Sequence, residues 1–215
     1  MNATPEAGQF FFLRILIFDW NNICDLHGRT VQTLIEHTGG KFNLSNVYAP
    51  RRNAERRIYF HSLLVYISKT DENILGGDFN CIADNKLGGN PSARQTATTV
   101  LTTITHQNNL TDIWRDRSCD VKKFTWTGKN TQNYFIHTRI NKFYISSQLT
   151  PFVAQTYILP FSFSDHDLIS LTLLNRAVTD TGFLTITYWK MTFLPQKLNP
   201  FGQTGSQGKM ISTHH

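Results

Sequence analysis

Charge is scarce in this 215-residue chain: Asp, Glu, Lys and Arg together make up 17% of it, against about a quarter in an ordinary globular protein. A polar surface must then come from neutral side chains, and 26 Thr and 17 Asn supply it. Apolar residues still reach 40%, which argues against an intrinsically disordered chain. Cysteine is rarer, at Cys24, Cys81 and Cys119 only. An odd, widely spaced set builds neither a disulfide framework nor a zinc site and points to a reducing, intracellular setting. The longest apolar run, residues 10–18, holds Arg14 within its nine positions. It is too short for a bilayer and has no basic segment before it, so neither a membrane span nor a signal peptide is expected. Acidic residues are in the minority, 15 against 21 Lys and Arg, for a net charge of +6. That balance favours polyanionic partners, nucleic acid first among them.

No internal repeat is visible, and the length suits one domain with a tail. Residues 10–18, 30–35 and 42–48 are rich in aromatic and β-branched side chains between Asn, Gly and His clusters, which reads as three strands. In 53–69 the residues Ile58, Tyr59, Leu63, Tyr66 and Ile67 recur near helical spacing. The pattern predicts an amphipathic helix with Asn53 as its cap. A strand over 73–79, broken by Gly76-Gly77, is followed by a Thr-rich helix over 92–108. Short strands are then expected at 124–126, 139–146, 153–159 and 168–174, with one more in 182–194 and a disordered end over 203–215. Strands and helices that alternate early and give way to strands suit an α/β or α+β domain of two packed sheets.

Four segments put polar groups at predicted strand ends, where sheet proteins carry their sites. They are Asn46-Val47-Tyr48-Ala49-Pro50, Gly76-Gly77-Asp78-Phe79-Asn80, Arg139-Ile140-Asn141 and Ser164-Asp165-His166. Each alone has an ordinary reading: a turn at Gly-Gly-Asp, a cap at Ser-Asp-His, a core aromatic at Tyr48. Their order and combination resemble the endonuclease/exonuclease/phosphatase superfamily, and within it the apurinic-type endonuclease domain of non-LTR (LINE-type) retrotransposon polyproteins. Closer to that branch are Leu110-Thr111-Asp112-Ile113-Trp114-Arg115, Phe124-Thr125-Trp126-Thr127-Gly128, the run 139–146 and Tyr188-Trp189-Lys190-Met191.

The resemblance implies a two-sheet sandwich flanked by helices over residues 10–176, missing the family's first strands. A tail over 177–215 resembles the linker that follows such domains. It implies a DNA endonuclease dependent on Mg²⁺ (or Mn²⁺), acting as a monomer, nuclear when active. Asp78 would orient and deprotonate water, Asn80 and Tyr48 would donate to the phosphate, and His166 would stabilise growing charge. Asp165 would be a metal or water ligand. Two departures imply a truncated copy with weak or no activity, or a nucleic-acid-binding remnant of the fold. The family's metal-binding Glu has no matching motif, and Asn2, Glu6 and Glu36 do not supply one. Asn141 stands where the family has an Asp that orients the His, and an amide neither neutralises an imidazolium nor guarantees the right tautomer. The family's first strand is central in its sheet, so the resemblance implies that its absence would leave unpaired backbone groups and uncovered apolar surface unless residues 10–18 substitute. Arg51, Arg52, Arg56 and Arg57 read equally as phosphate contacts or as a solvated helix face. Trp114 and Trp126, in apolar strand segments, read as core anchors.

Overall fold

The computed structural model describes residues 11–13, 22–24, 28–37, 40–83, 96–174 and 183–190. Alternation in the chain sets its layers. In β3 (Thr30–His37) and β4 (Gly40–Tyr48), paired antiparallel, Phe42 and Leu44 lie on one face and Val47 on the other, as a period of two requires. β5 (Glu72–Asp78) runs parallel to β4, and β9 (Asn141–Ser146) pairs antiparallel with β5. With β2 (Asn22–Cys24) and β6 (Leu110–Asp112) they form a six-stranded sheet in the order β2-β3-β4-β5-β9-β6. A four-stranded sheet has the order β1-β12-β11-β10, from β1 (Phe11–Leu13), β10 (Val153–Leu159), β11 (Leu168–Leu174) and β12 (Phe183–Lys190).

Two apolar cores hold these layers together. Phe42, Leu44, Ile74, Phe143 and Ile145 of the larger sheet pack with Ile169, Leu171, Leu173, Leu184 and Ile186 of the smaller one. On the other face, Val47, Leu75 and Tyr144 are covered by Tyr59, Phe60 and Leu63 and by Ala97, Leu101 and Ile104. The latter belong to α1 (Asn53–Ser62), with the tighter turn Leu63–Tyr66 that continues it, and to α2 (Thr96–Gln107). β4 and β5 can be parallel because α1 crosses between them. No helix among the described residues is long and apolar enough to cross a membrane.

Several expectations change. The helix expected over 53–69 tightens at Leu63, and Asn53 does not cap it, since the cap position is Arg52 with no side-chain bond. Asn53 instead caps α2, its Oδ1 accepting from Ala97 N at 3.3 Å and its Nδ2 donating to Thr96 Oγ1 at 3.1 Å. Gly76 and Gly77 do not break the strand but lie within β5. The strand expected at 124–126 is β7 (Trp126–Lys129), which forms a separate hairpin with β8 (Phe135–Thr138). β12 lies between β1 and β11 with Leu184, Ile186 and Tyr188 in the core, so the sandwich runs past residue 176 to Lys190. β1, the described part of residues 10–18, pairs antiparallel with β12, Phe11 opposite Lys190. The remainder of 10–18 and the end 203–215 lie outside the described residues.

Candidate active site

Strand register builds the site. Tyr48 at the end of β4 pairs with Asp78 at the end of β5, and Asp78 pairs with Asn141 at the start of β9. Residues paired across neighbouring strands share a face, so the three stand in one row. The main chain extends this row, with Ala49 N donating to Asp78 O at 2.8 Å and Phe79 N to Ile140 O at 3.0 Å. Close approach of the strands depends on the two glycines. A Cβ on Gly77, whose φ is +142°, would run into the Val47 carbonyl, and one on Gly76 would run into the Phe143 ring.

Asp78 and Asn141 are fully buried and His166 nearly so. The His166 Nδ1–H faces Asn141 Oδ1 at 3.1 Å, while Asn141 Nδ2 donates to Asp167 O at 3.3 Å. The second bond fixes which end of the amide meets the ring. His166 is therefore held as the Nδ1–H tautomer, the one a carboxylate partner would select. The tautomer error expected of Asn141 does not arise, and what the amide lacks is charge. Asn80 sits at φ +48°, a left-handed conformation that Asn tolerates. Its N–H donates to Asp78 Oδ1 at 2.9 Å, and its Nδ2 donates to Ala49 O at 2.7 Å. One hydrogen of the amide expected to reach a phosphate is thus committed to the Tyr48 loop. Asp165 is exposed and its Oδ2 accepts from Trp126 Nε1 at 2.9 Å. Trp126 is accordingly half-buried with its N–H in use, and of the two expected core anchors only Trp114 is one.

Buried cations lie beneath this row. Lys142, on the opposite face of β9 from Asn141, donates Nζ to Cys81 O at 2.5 Å. Arg56 is buried and donates Nη1 to Pro50 O at 3.1 Å and Arg51 O at 2.7 Å. It holds the loop after Tyr48, and its burial fits neither the phosphate contact nor the solvated helix face expected of it. Arg51, Arg52 and Arg57 are exposed, with Arg52 3.4 Å from Glu55. Burial pulls both Lys142 and Arg56 below their ordinary pKa values, partly offset by Cys81 and Asp78. Burial pushes the Cys81 thiol up.

Sequence reasoning missed two residues of the site. Thr125, fully buried, accepts from Ile140 N and Asn141 N, both at 2.9 Å. Tyr188 of β12 is buried against Asp78 and Tyr48, and that burial, with the charge of Asp78, raises its pKa well above the usual phenol value. The signal was the position of both within runs quoted for the resemblance. Beside the site, the β7–β8 hairpin stacks Phe124 on His137 at 5.4 Å and Phe135 on His137 at 6.3 Å. Lys122 and Lys129 stand over Phe124 and Phe135.

The described residues do not make a cage for a divalent ion. No three His, Cys, Asp or Glu side chains among them come together to hold one, and Asp165 has one oxygen committed to Trp126.

No family model matches the chain. It is 33% identical over 147 residues to a transposon TX1 uncharacterized 149 kDa protein of Xenopus laevis, a match that takes in 67% of this chain and 11% of that protein. The chain thus spans about a ninth of this relative's length. Among solved structures it is similar to an AP endonuclease from Archaeoglobus fulgidus, with a TM-score of 0.56 at 13% identity over 80% of this chain and 70% of that one. The endonuclease domain of TRAS1, a telomere-specific non-LTR retrotransposon, gives a TM-score of 0.53 at 11% identity over 80% and 69%. The Xenopus laevis APE2 catalytic domain gives 0.53 at 18% identity over 76% and 55%. At such identities the structural likeness establishes the fold.

Proposed function

We propose that this chain, which has the AP endonuclease fold and is related in sequence to a transposon protein, is a DNA-nicking domain of a non-LTR retrotransposon polyprotein whose activity is slowed by Asn141. The observation that carries the reading is the row Tyr48, Asp78 and Asn141 with His166 hydrogen-bonded to its end. Phosphodiester hydrolysis needs a base for water and donors for a phosphate that gains negative charge. Asp78 is the base and orienter of water in this reading. Tyr48 and His166, through Nε2, are the donors in it. Because Nδ1 keeps its proton on Asn141, Nε2 donates only when the ring is an imidazolium. Asn141 offers that cation no countercharge, so the donor form is disfavoured and the step is slow.

DNA as partner is supported by the net charge of +6, by exposed Arg51, Arg52 and Arg57 beside Tyr48, and by the hairpin's lysines and stacked rings. Acting on target DNA, the domain would work as a single chain in the nucleus. A second reading, a nucleic-acid-binding module that keeps the fold without catalysis, is favoured by the neutral Asn141 and by the lack of a carboxylate cluster among the described residues.

The test uses the 215-residue chain on supercoiled plasmid with Mg²⁺ or Mn²⁺, beside Asp78→Ala, and follows binding to a short duplex over a range of salt. The nuclease reading expects slow nicking that Asp78→Ala abolishes, and binding that weakens steeply with salt. Salt-dependent binding with no nicking would establish the second reading, and neither would defeat both.

A further inference from the structure

Tryptophan has one polar atom, and in a half-buried position that N–H needs an acceptor. For Trp126 the acceptor is Asp165 Oδ2, at 2.9 Å. Space for the indole comes from Gly128, two residues along β7 and on the same side of the strand. A Cβ there would run into Cη2 and Cζ2 of the ring. The main chain repeats the connection on both sides of the bridge between Trp126 and His166. Thr127 N–H donates to Asp165 O at 3.1 Å, and Asp167 N–H donates to Thr125 O at 2.9 Å.

An exposed carboxylate has several rotamers, and holding one costs entropy that a fixed donor offsets. We propose that Trp126, seated over Gly128, is a positioning residue that fixes the Asp165 carboxylate and through it sets the adjoining His166 for contact with a DNA phosphate. This rests on the nuclease reading above. It gives the run Thr125-Trp126-Thr127-Gly128 a physical role. Thr125 holds the Asn141 main chain, Trp126 holds Asp165, and Gly128 leaves room for the indole. Packing alone would not require the indole nitrogen, which is what separates the two accounts.

Trp126→Phe keeps an aromatic ring and removes the N–H, while Asp165→Asn keeps the shape of the acceptor and removes its charge. In ¹H–¹⁵N spectra, Asp165→Asn should move one of the four tryptophan indole signals, the one that Trp126→Phe deletes. Trp126→Phe should also shift the His166 ring signals, assigned through His166→Gln. In plasmid nicking each single variant should slow the reaction by about fivefold or more, and the double variant should be no slower than the slower single. A Trp126 that only packs would leave the indole signal indifferent to Asp165→Asn, leave the His166 signals in place and multiply its effect with that of Asp165→Asn. That result overturns the proposal. If nothing nicks DNA but the indole and His166 signals respond as expected, the positioning stands and the nuclease reading fails.

Discussion

Asn141 spends both ends of its amide, accepting from the His166 ring and donating to Asp167 O. Replacing it by aspartate should keep the acceptor that faces the ring and add the missing charge, with loss of the bond to Asp167 O. Asn141→Asp is expected to raise the pH at which His166 titrates, read by NMR of the ring. The added charge stabilises the folded protein while the ring is protonated. That stabilisation is lost as pH rises through the folded value. An unchanged or lowered value would show that the pair does not interact as the structure places it. Tyr48, Asp78, Asn141 and His166 were legible in the sequence because each sits in a short motif at a strand end. The contributions of Thr125, Trp126 and Tyr188 were not, because their partners lie far along the chain. Thr125 acts on 140 and 141, Trp126 on 165, and Tyr188 is set against Asp78.

Among the elements, β5 is the one on which the site most depends. Gly77→Ala would drive a Cβ into the main chain of β4 from a left-handed φ. It should cost at least about 3 kcal/mol in urea unfolding, with the loss of the Tyr48–Asp78 register as its structural sign. A cost below about 1 kcal/mol would mean that β4 and β5 are not so tightly opposed. Asn53→Ala should cost about 1 kcal/mol, the usual price of a lost cap. Amide exchange should then quicken in the first turn of α2 and not in α1, where the sequence pattern had placed the cap. Apolar spacing revealed α1, α2 and most strands, since their faces are buried in one core or the other. It did not show β8, whose Phe135 is exposed, because a hairpin outside the sheets has no buried face to impose a period. It also left β6 unassigned, three residues paired along an edge.

The described residues form a six-stranded sheet between a helical layer and a smaller sheet, with buried tyrosines in both cores. Tyr144 lies on the helix side and Tyr188 between the sheets. Burial pushes both phenols well above their usual pKa. Their contribution to stability is present below about pH 10 and is lost as pH rises above it. Lys142 works in the opposite direction, because its lowered value is a penalty at neutral pH that is relieved as pH approaches 10.5. The clearer observable is therefore absorbance. Of seven tyrosines, these two should ionise only as the far-ultraviolet circular dichroism signal collapses, and ionisation before unfolding would contradict their burial. The two-layer sheet arrangement itself was legible from the alternation of the strands. The membership of β12 in the core was not, because the texture of the sequence changes after Arg176 while the hydrogen bonding does not.

The central claim is that one end of the larger sheet receives a DNA phosphate. Its most direct test is an NMR titration of the 215-residue chain with a short DNA duplex, independent of turnover. The side-chain amides of Asn80 and Asn141, the His166 ring and the Tyr48 main-chain amide should shift together along one binding curve. Asn73, Asn108 and Ser146, which line the polar hollow at the opposite end of β5 and β9, should stay in place. Shifts confined to that opposite end, or none at the Tyr48–Asp78–Asn141 row while the duplex is bound, would contradict the account.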